Sequence, residues 1–378
     1  MKVCQLCAVD FTVEHFLTPL IHRMENENWK VHCVCSYGNY SEKLKKDGHH
    51  IININIPRSL NVFLILFAIF QLYKLFKKEN YDMVHVHTPI ASFIGRIAAK
   101  LSGIKCIIYT AHGFYFHENM SVLKFFIYLN IEKFLSKFTN IIFTQSLEDK
   151  KIAVEKKFLK KNLIYNIGNG VDSNLFNPKK YRHIYNIKKN LNIPKDSTVV
   201  GCIARLVKEK GIVEFLGAAI QISKIFSNVY FVLVGERLES DHNTNVEKHI
   251  TDAKKFMNSK LVLTGYRTDI PELISIMDLY CLPSWREGMS RSIIEAMMME
   301  KPILTTNIRG CREQVDHQNT GLIVPIKSQE KLFCSMKYLI MNKKIRIKFG
   351  KLGRKKALKL YEEKNILELQ MKIIKKYI

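Results

Sequence analysis

This chain of 378 residues has no internal repeat and no low-complexity tract. No GxxxxGK[ST] and no GxGxxG occurs, so neither a Walker-type phosphate loop nor a dinucleotide fingerprint is present. Its longest apolar run, Leu60 to Tyr73, is too short to cross a bilayer as a helix, which takes about 20 residues. Acidic residues are few: 34 against 59 basic ones, for a net charge of +25. That balance favours phosphates, anionic lipid or nucleic acid as partners without choosing among them. Arginine is scarce beside lysine, so part of the excess also reads as solvated lysine on helix faces. A nucleic-acid binder would need base-stacking aromatics in a basic groove or a recognised module, and neither is found.

Nine cysteines, an odd number, are scattered along the chain. Cys4 and Cys7, and Cys33 and Cys35, have spacings that superficially suggest a metal site. Both pairs lie inside apolar strand-like runs without the turn that structural zinc prefers. They read as buried free thiols, which pack as small hydrophobes. The opening MKVCQLCAVDF runs straight into a strand pattern with no secretory signal. A reduced, cytoplasmic setting is the expectation.

Strand-like runs alternate with helical stretches from the start. Val3–Val9, Val31–Cys35, Ile51–Ile54, Met83–His87, Lys105–Thr110 and Ile141–Thr144 read as strands with helices between them. A turn-rich stretch, residues 163–178, interrupts the pattern with Gly, Asn, Asp and Pro. The alternation then restarts at Val199–Ala204 and continues through Tyr230–Val234, Leu261–Thr264, Leu279–Leu282, Ile303–Thr306 and Leu322–Val324. The expected architecture is α/β: two parallel sheets covered by helices, in domains 1–177 and 178–378. The last helix, about 358–378, is expected to pack back on the first domain. Active sites in such sheets lie beyond the carboxyl ends of the strands. That places Asp10, Thr12, His15, His112 and Gly113 where function is expected.

The 60–73 run has Arg58 before it and Lys74, Lys77 and Lys78 after it. It fits either an interfacial helix with basic ends on lipid headgroups or a helix packed on a sheet.

The stretch from Ser284 to Leu304, SWREGMSRSIIEAMMMEKPIL, organises the second half. A short strand, a tight turn and a helix start make an anion site, because the first helical amides are free and the dipole favours negative charge. Ser290 is placed as the N-cap. Glu287 belongs to the loop. Glu295 lies along the helix, suited to the hydroxyl-rich part of the same ligand. Upstream, Arg205 and Lys210 lie between the first strand of the second half and a helix opening at Gly211. A forked guanidinium and a mobile ammonium suit a diphosphate.

ARLVKEKG, TGYRTDIPEL, LPSWREGMSRSIIEAM, TNIRGCREQV and TGLIVP, in that order, resemble the retaining glycosyltransferases of family 4. YDMVHVHTPIASFIGRIAAKLSGIKCIIYTAHGFYFHE and IGNGVDSNLF resemble the branch that builds capsule, exopolysaccharide and lipid-linked glycans. The resemblance spans nearly the whole chain. It implies the GT-B fold, with two Rossmann-like domains facing across a cleft. It also implies roles. Arg205 and Lys210 hold the donor diphosphate, and Glu295 holds the ribose hydroxyls. Glu287 contacts the donor sugar, and the amides of Gly288, Met289 and Ser290 contact sugar and distal phosphate. Tyr266 and Arg267 fall where the nucleobase packs. His112 reaches the donor sugar from the first domain, with His117 in the same loop. The family's Gly-Gly loop is replaced by AVDFTVEHF, so Asp10, Thr12 and His15 are assigned to the acceptor side.

The expected reaction moves a hexosyl group, with retention, from a nucleotide diphosphate sugar to a membrane-bound polyprenyl-diphosphate sugar. A UDP-linked hexose or N-acetylhexosamine is the donor favoured by analogy. No DxD-type metal dyad is positioned for the task, so no metal or other cofactor is expected. The expected location is peripheral, on the cytoplasmic face of the cell membrane. Rival readings are a nucleotide-sugar epimerase or hydrolase, a basic membrane- or nucleic-acid-binding protein, and a catalytically silent subunit. The last of these would have lost the two carboxylates, which are present.

Overall fold

The computed structural model describes residues 1–59, 61–181, 184–237 and 246–378. The chain divides into two compact units, residues 1–168 with 365–378, and residues 169–364. The division lies at Gly168/Asn169 rather than 177/178 because the intervening segment is tied to the second unit. Val171 N–H donates to Tyr361 O (2.9 Å), and Glu363 N–H donates to Val171 O (3.2 Å). At Gly170, an added Cβ would sit 2.8 Å from Glu363 Cα, so the two backbones touch. Residues 365–378 cluster with the first unit.

The first unit runs β1 (Lys2–Val9), α1 (Asp10–Thr12), a π-helical turn (Val13–Leu17), α2 (Thr18–Glu25), β2 (Lys30–Ser36), α3 (Ser41–Lys46) and β3 (His50–Asn53). It continues α4 (Val62–Glu79), β4 (Met83–His87), α5 (Pro89–Leu101), β5 (Cys106–Ala111), α6 (Val122–Ser136), β6 (Ile141–Thr144), α7 (Leu147–Glu155) and β7 (Ile164–Asn166). The sheet is parallel, in the order β3-β2-β1-β4-β5-β6-β7. Both faces are covered, so its strands are near-continuous apolar runs. Strand alternation divides the core. Cys4, Leu6, Val84, Val86 and Ile107 pack with Ala68, Leu72 and Phe76 of α4 and Ile94 of α5. Val3, Cys7, Cys33, Cys35 and Ile108 pack on the other face with Ile21 and Met24 of α2. The four cysteines are all buried, with Cys4 on the face opposite the other three, so they do not converge on one ion. Burial pushes the Cys4 thiol well up.

Edge strand β7 lies inside the stretch read from sequence as a turn-rich connection. Only three residues pair with β6, and Asn166 closes the strand by donating to Thr144 O and Gln145 O. The π-turn also has a local cause. Thr18 closes it, its backbone N–H and its hydroxyl (3.0 Å) both meeting Val13 O, and Pro19, which has no N–H to give, opens α2 behind it.

Leu60 of the 60–73 run lies outside the described residues. The rest forms α4, capped by Asn61, whose Oδ1 accepts from Phe63 and Leu64 N–H, and ended by left-handed Asn80. One side of the helix packs on the sheet, as one of the two alternatives read from sequence expects, and the other side is exposed. A stripe of Ala68, Leu72 and Phe76, at four-residue spacing, packs on the sheet side, while Phe63 (84%), Leu66, Phe67 and Phe70 are exposed. Helix α6 is similar. A buried Arg96–Glu132 ion pair (2.8 Å) ties it to α5, while Val122, Leu123, Phe126 and Ile127 are exposed. Among the described residues no helix is long and apolar enough to cross a membrane.

The second unit runs α8 (Ile184–Asn190), β8 (Thr198–Ile203), α9 (Ile212–Ile225), β9 (Val229–Val234), α10 (Val246–Met257), β10 (Leu261–Gly265), α11 (Ile270–Ser275) and β11 (Leu279–Leu282). It ends α12 (Arg291–Met298), β12 (Ile303–Thr306), α13 (Cys311–Gln314), β13 (Gly321–Val324), α14 (Gln329–Met341) and α15 (Lys343–Leu360), and α16 (Glu363–Lys376) follows. Its parallel sheet has the order β10-β9-β8-β11-β12-β13. Strand order reverses direction between β8 and β11. A doubly wound sheet opens a crevice at that switch point, beyond the strands' carboxyl ends.

Candidate functional site

The switch point of the second unit is where the sequence placed its charges. Arg205 and Lys210 follow β8, and Glu287 follows β11. Lys210 lies on a 3-10 turn that ends at Gly211, and α9 starts from that glycine. Gly211 has φ +69, and a Cβ there would meet Pro283 O at 2.0 Å. Only glycine lets the β8–α9 turn lie directly against the β11 turn. The approach brings Lys210 Nζ to 2.6 Å from Glu287 Oε1. The same carboxylate oxygen accepts from Ser284 Oγ at 2.8 Å. Thr306, at the end of β12, donates to Ser284 O and fixes that serine. Sequence reading gave Lys210 and Glu287 separate ligand roles; the fold pairs them. Arg205 is exposed on the same rim.

The turn Gly288-Met289-Ser290 leads into α12. A Cβ at Gly310 (φ +80) would meet Gly288 O at 1.9 Å, so the TNIRG segment packs directly beneath the turn. Gln314 Nε2 donates to Ser290 O (2.7 Å), and Asn169 Nδ2 donates to Met289 O (3.2 Å). These contacts hold the turn by its carbonyls. Ser290 occupies the N-cap position but makes no side-chain cap. Its hydroxyl pairs with Ser292 Oγ (3.1 Å) instead, so the helix-start amides are not capped by it. Glu295 lies one turn into α12, with Arg291 Nε at 3.2 Å. Burial raises its carboxyl above the usual range, and Arg291 opposes that shift. Arg291 also reaches Glu363 (3.5 Å).

Tyr266 and Arg267 follow β10. Arg267 forks onto Asp269 (2.7 and 2.5 Å), and Tyr266 is 38% exposed. Trp285, beside Glu287, donates to Glu214 (3.1 Å), with Lys208 and Lys327 over its ring.

In the first unit the switch point lies between β1 and β4. Asp10 follows β1, and its carboxylate is occupied by the fold: it accepts from Phe11 N–H (2.8 Å), Tyr40 N–H (2.8 Å) and Ser41 Oγ (3.0 Å). Thr12 is buried. His15 packs on Phe11 and Tyr40, at ring separations of 4.3 and 5.2 Å. Asp10 therefore ties the start of α1 to the Tyr40–Ser41 segment. His112 stands just past β5, half-buried, its Nε2 3.1 Å from His87 Nδ1. His117 lies five residues on, in the same loop, half-buried. Burial lowers His112 to about 4 despite a hydrogen bond with Gln145.

Sequence reasoning missed Ser284, Gln314, Asn169, Gln145, Gln5 and His87. His87 had a legible signal, since VHVH puts two imidazoles on one strand face. The others act through contacts between distant segments. One other cluster, His22, Glu25 and His49, has ligand atoms within 4.8 Å of one another. The two imidazoles are stacked at 5.0 Å and 21°, so their in-plane lone pairs run side by side rather than converging on an ion.

Two doubly wound parallel sheets, one with a cation–carboxylate pair and a helix start at its switch point, define an enzyme of the GT-B class. The comparisons agree. A family model described as glycosyl transferases group 1 matches residues 184–356, and one described as glycosyl transferase 4-like matches residues 2–146. An Escherichia coli UDP-Gal:alpha-D-GlcNAc-diphosphoundecaprenol alpha-1,3-galactosyltransferase is 30% identical, over 80% of this chain and 78% of that one. A Campylobacter jejuni N,N'-diacetylbacillosaminyl-diphospho-undecaprenol alpha-1,3-N-acetylgalactosaminyltransferase is 29% identical, over 100% and 99%. In fold, Anabaena HepE, crystallised with UDP and glucose, superposes with a TM-score of 0.82 at 19% identity, covering 99% of each chain. The chain belongs to the group 1, family 4 glycosyltransferases.

Proposed function

We propose that this glycosyltransferase moves a hexosyl group, hexose or N-acetylhexosamine, from a UDP-linked donor to a polyprenyl-diphosphate-linked saccharide, retaining the anomeric configuration, in surface polysaccharide synthesis. The observation that carries the reading is the Lys210–Glu287 pair beside Arg205 and the α12 start. When the bond from the anomeric carbon to the diphosphate breaks, charge builds on the leaving UDP. Arg205, Lys210 and the amides of Gly288, Met289 and Ser290 stabilise that charge from preset positions, usually the largest catalytic contribution. Glu287, held by Lys210 and Ser284, orients the sugar, and Glu295 takes the ribose hydroxyls. Tyr266 flanks the base, and Arg267 acts there from its fork on Asp269. His112 contacts the donor sugar, and His15 and His117 line the acceptor side. The acceptor oxygen bonds the anomeric carbon on the leaving-group face, and its proton passes to a phosphate oxygen of UDP. These cations take the place of a metal ion, so chelator leaves turnover unchanged.

The relatives support a lipid-linked acceptor, since the E. coli and C. jejuni enzymes are both named for diphosphoundecaprenol-linked saccharides. The exposed apolar faces of α4 and α6, with Lys74, Lys77 and Lys78 near the end of α4, support peripheral docking on the anionic cytoplasmic leaflet.

The deciding experiment offers a panel of nucleotide sugars with and without undecaprenyl-diphosphate-linked saccharides. UDP release and the anomeric configuration of the product are read. Acceptor-dependent release with retention is expected. Equal donor consumption without acceptor would identify an epimerase or hydrolase instead.

A further inference from the structure

Helix α15 of the second unit is basic along its whole length. Nine of its 18 residues are Lys or Arg, and none is acidic. Three of the nine are used by the fold. Arg346 donates to Leu339 O (2.7 Å) and Ile340 O (2.5 Å), and Arg354 donates to Phe176 O (3.1 Å) and Met298 O. Lys356 donates to Glu313 O (2.9 Å) and Asp316 Oδ1 (2.7 Å). Asp278, Glu300 and Asp316 each approach one of these same three cations. The other six, Lys343, Lys344, Lys348, Lys351, Lys355 and Lys359, are exposed and make no ion pair among the described residues.

All but Lys343 share one side. At 3.6 residues per turn, Lys344, Lys348, Lys351, Lys355 and Lys359 fall within an arc of about 80°, opposite the buried side of Phe349, Gly353 and Ala357. Ile347 (49% exposed) and Leu358 (39%) border the lysines along one edge. Such a face works against the helix that carries it. Lys344 and Lys348, Lys351 and Lys355, and Lys355 and Lys359 are like charges four residues apart, and the dipole disfavours Lys343 and Lys344 in the first turn. A helix face that meets only water ordinarily mixes both signs. An anionic surface would offset the repulsion. Ile347 and Leu358 choose between anionic surfaces. A nucleic-acid backbone offers nothing to an exposed Ile or Leu, whereas the headgroup boundary of a bilayer takes apolar side chains beside lysines. Lys348 also lines a cleft of about 600 Å3 with Tyr338 of α14, which is 44% exposed. An amphipathic ring of that kind sits well at headgroup level.

We propose that the outer face of α15 is a contact for anionic phospholipid headgroups, carried by the second unit and separate from the apolar faces of α4 and α6 in the first. The assignment rests on the reading that this enzyme docks on an anionic leaflet, and it adds a second docking surface. The five lysines lie on phosphate groups while Ile347 and Leu358 enter the headgroup boundary. The contact takes no part in the chemistry. It keeps the enzyme on the surface that holds a lipid-linked acceptor.

The test measures partition of the full chain onto phosphatidylcholine vesicles with and without phosphatidylglycerol. The triple variant Lys348→Gln, Lys351→Gln, Lys355→Gln is expected to lower partition onto the phosphatidylglycerol vesicles by about 100-fold, at about fivefold for each lysine lost. Its unfolding temperature stays level or rises, because like charges have been removed, and its turnover on a short-chain, water-soluble acceptor is unchanged. Ile347→Ser with Leu358→Ser lowers partition by about 10-fold. A control triple on other elements of the second unit, Lys189→Gln, Lys248→Gln, Lys255→Gln, removes the same charge and leaves partition nearly as it was. Equal losses in the two triples would overturn the contact, since net charge alone would then account for binding. So would normal partition of the α15 triple variant while the α4 variant Leu64→Asp, Phe67→Asp comes off the vesicles. An α15 triple variant that keeps its vesicle binding and loses binding to duplex DNA would overturn it in favour of nucleic acid. An unsubstituted chain that stays off phosphatidylglycerol vesicles overturns the docking reading itself, and the contact with it.

Discussion

Single side chains decide the chemistry through their partners. Lys210 and Glu287 hold each other at 2.6 Å, with only 21% and 10% of their side chains exposed. Removing either leaves a half-buried charge without its partner and, on the proposed reading, takes away a group that meets the donor. Lys210→Ala and Glu287→Ala are each expected to lower kcat by about 100-fold or more, with circular dichroism unchanged, as measured by UDP release. Histidines set the acid limit. Burial lowers His32, bonded to Tyr81 and stacked on His50, to about 4, and lowers His112 to about 4 and His85 to about 3. The unfolded chain titrates its histidines near 6.5, so between about 6.5 and 4 it binds more protons than the native state. Stability is therefore full above that window and falls as the pH drops through it. His32→Phe is expected to flatten urea-unfolding free energy against pH in that window by close to one proton. An unchanged slope would remove His32 from the account.

Elements carry the turns and faces on which those side chains stand. The β8–α9 and β11 turns touch through Gly211, where a Cβ has no room. Gly211→Ala is expected to cost more than about 2 kcal/mol, combining positive-φ strain with a backbone clash. It should also lower turnover, because the turn carries Lys210. Thermal unfolding and UDP release check the two effects separately. Helix α4 separates fold from docking in a different way. Its buried stripe of Ala68, Leu72 and Phe76 is distinct from exposed Leu64 and Phe67. The double variant Leu64→Asp, Phe67→Asp should keep its unfolding temperature within a few degrees and lose most partition onto anionic vesicles. Unchanged partition with the fold intact would remove α4 from the docking surface.

For the whole molecule, charge and apolar exposure act together. The net charge is +25, and on the proposed docking each lysine or arginine near an anionic leaflet contributes about 1 kcal/mol. Raising salt from about 0.01 to 1 M cuts the screening length from about 30 to 3 Å. Vesicle partition is expected to fall steeply over that range, while turnover on a short-chain, water-soluble acceptor changes far less. Equal salt sensitivity of both would argue that charge serves the chemistry rather than docking. The sequence by itself determined the alternation of strand and helix, both parallel sheets and the rims that bear Arg205, Lys210, Glu287 and His112. Periodicity and chain order are local properties, and each of those residues follows a strongly apolar strand. Tertiary structure decided what order along the chain does not encode. It paired Lys210 with Glu287 across 77 positions, tied Asp10 to Tyr40 and Ser41, left Ser290 without a side-chain cap and assigned residues 169–177 to the second unit. It also joined Gln5, His87 and His112 into one polar chain. Each of these depends on how closely two distant backbones approach, which glycines such as Gly211 and Gly310 permit and which becomes visible only once the strands lie side by side.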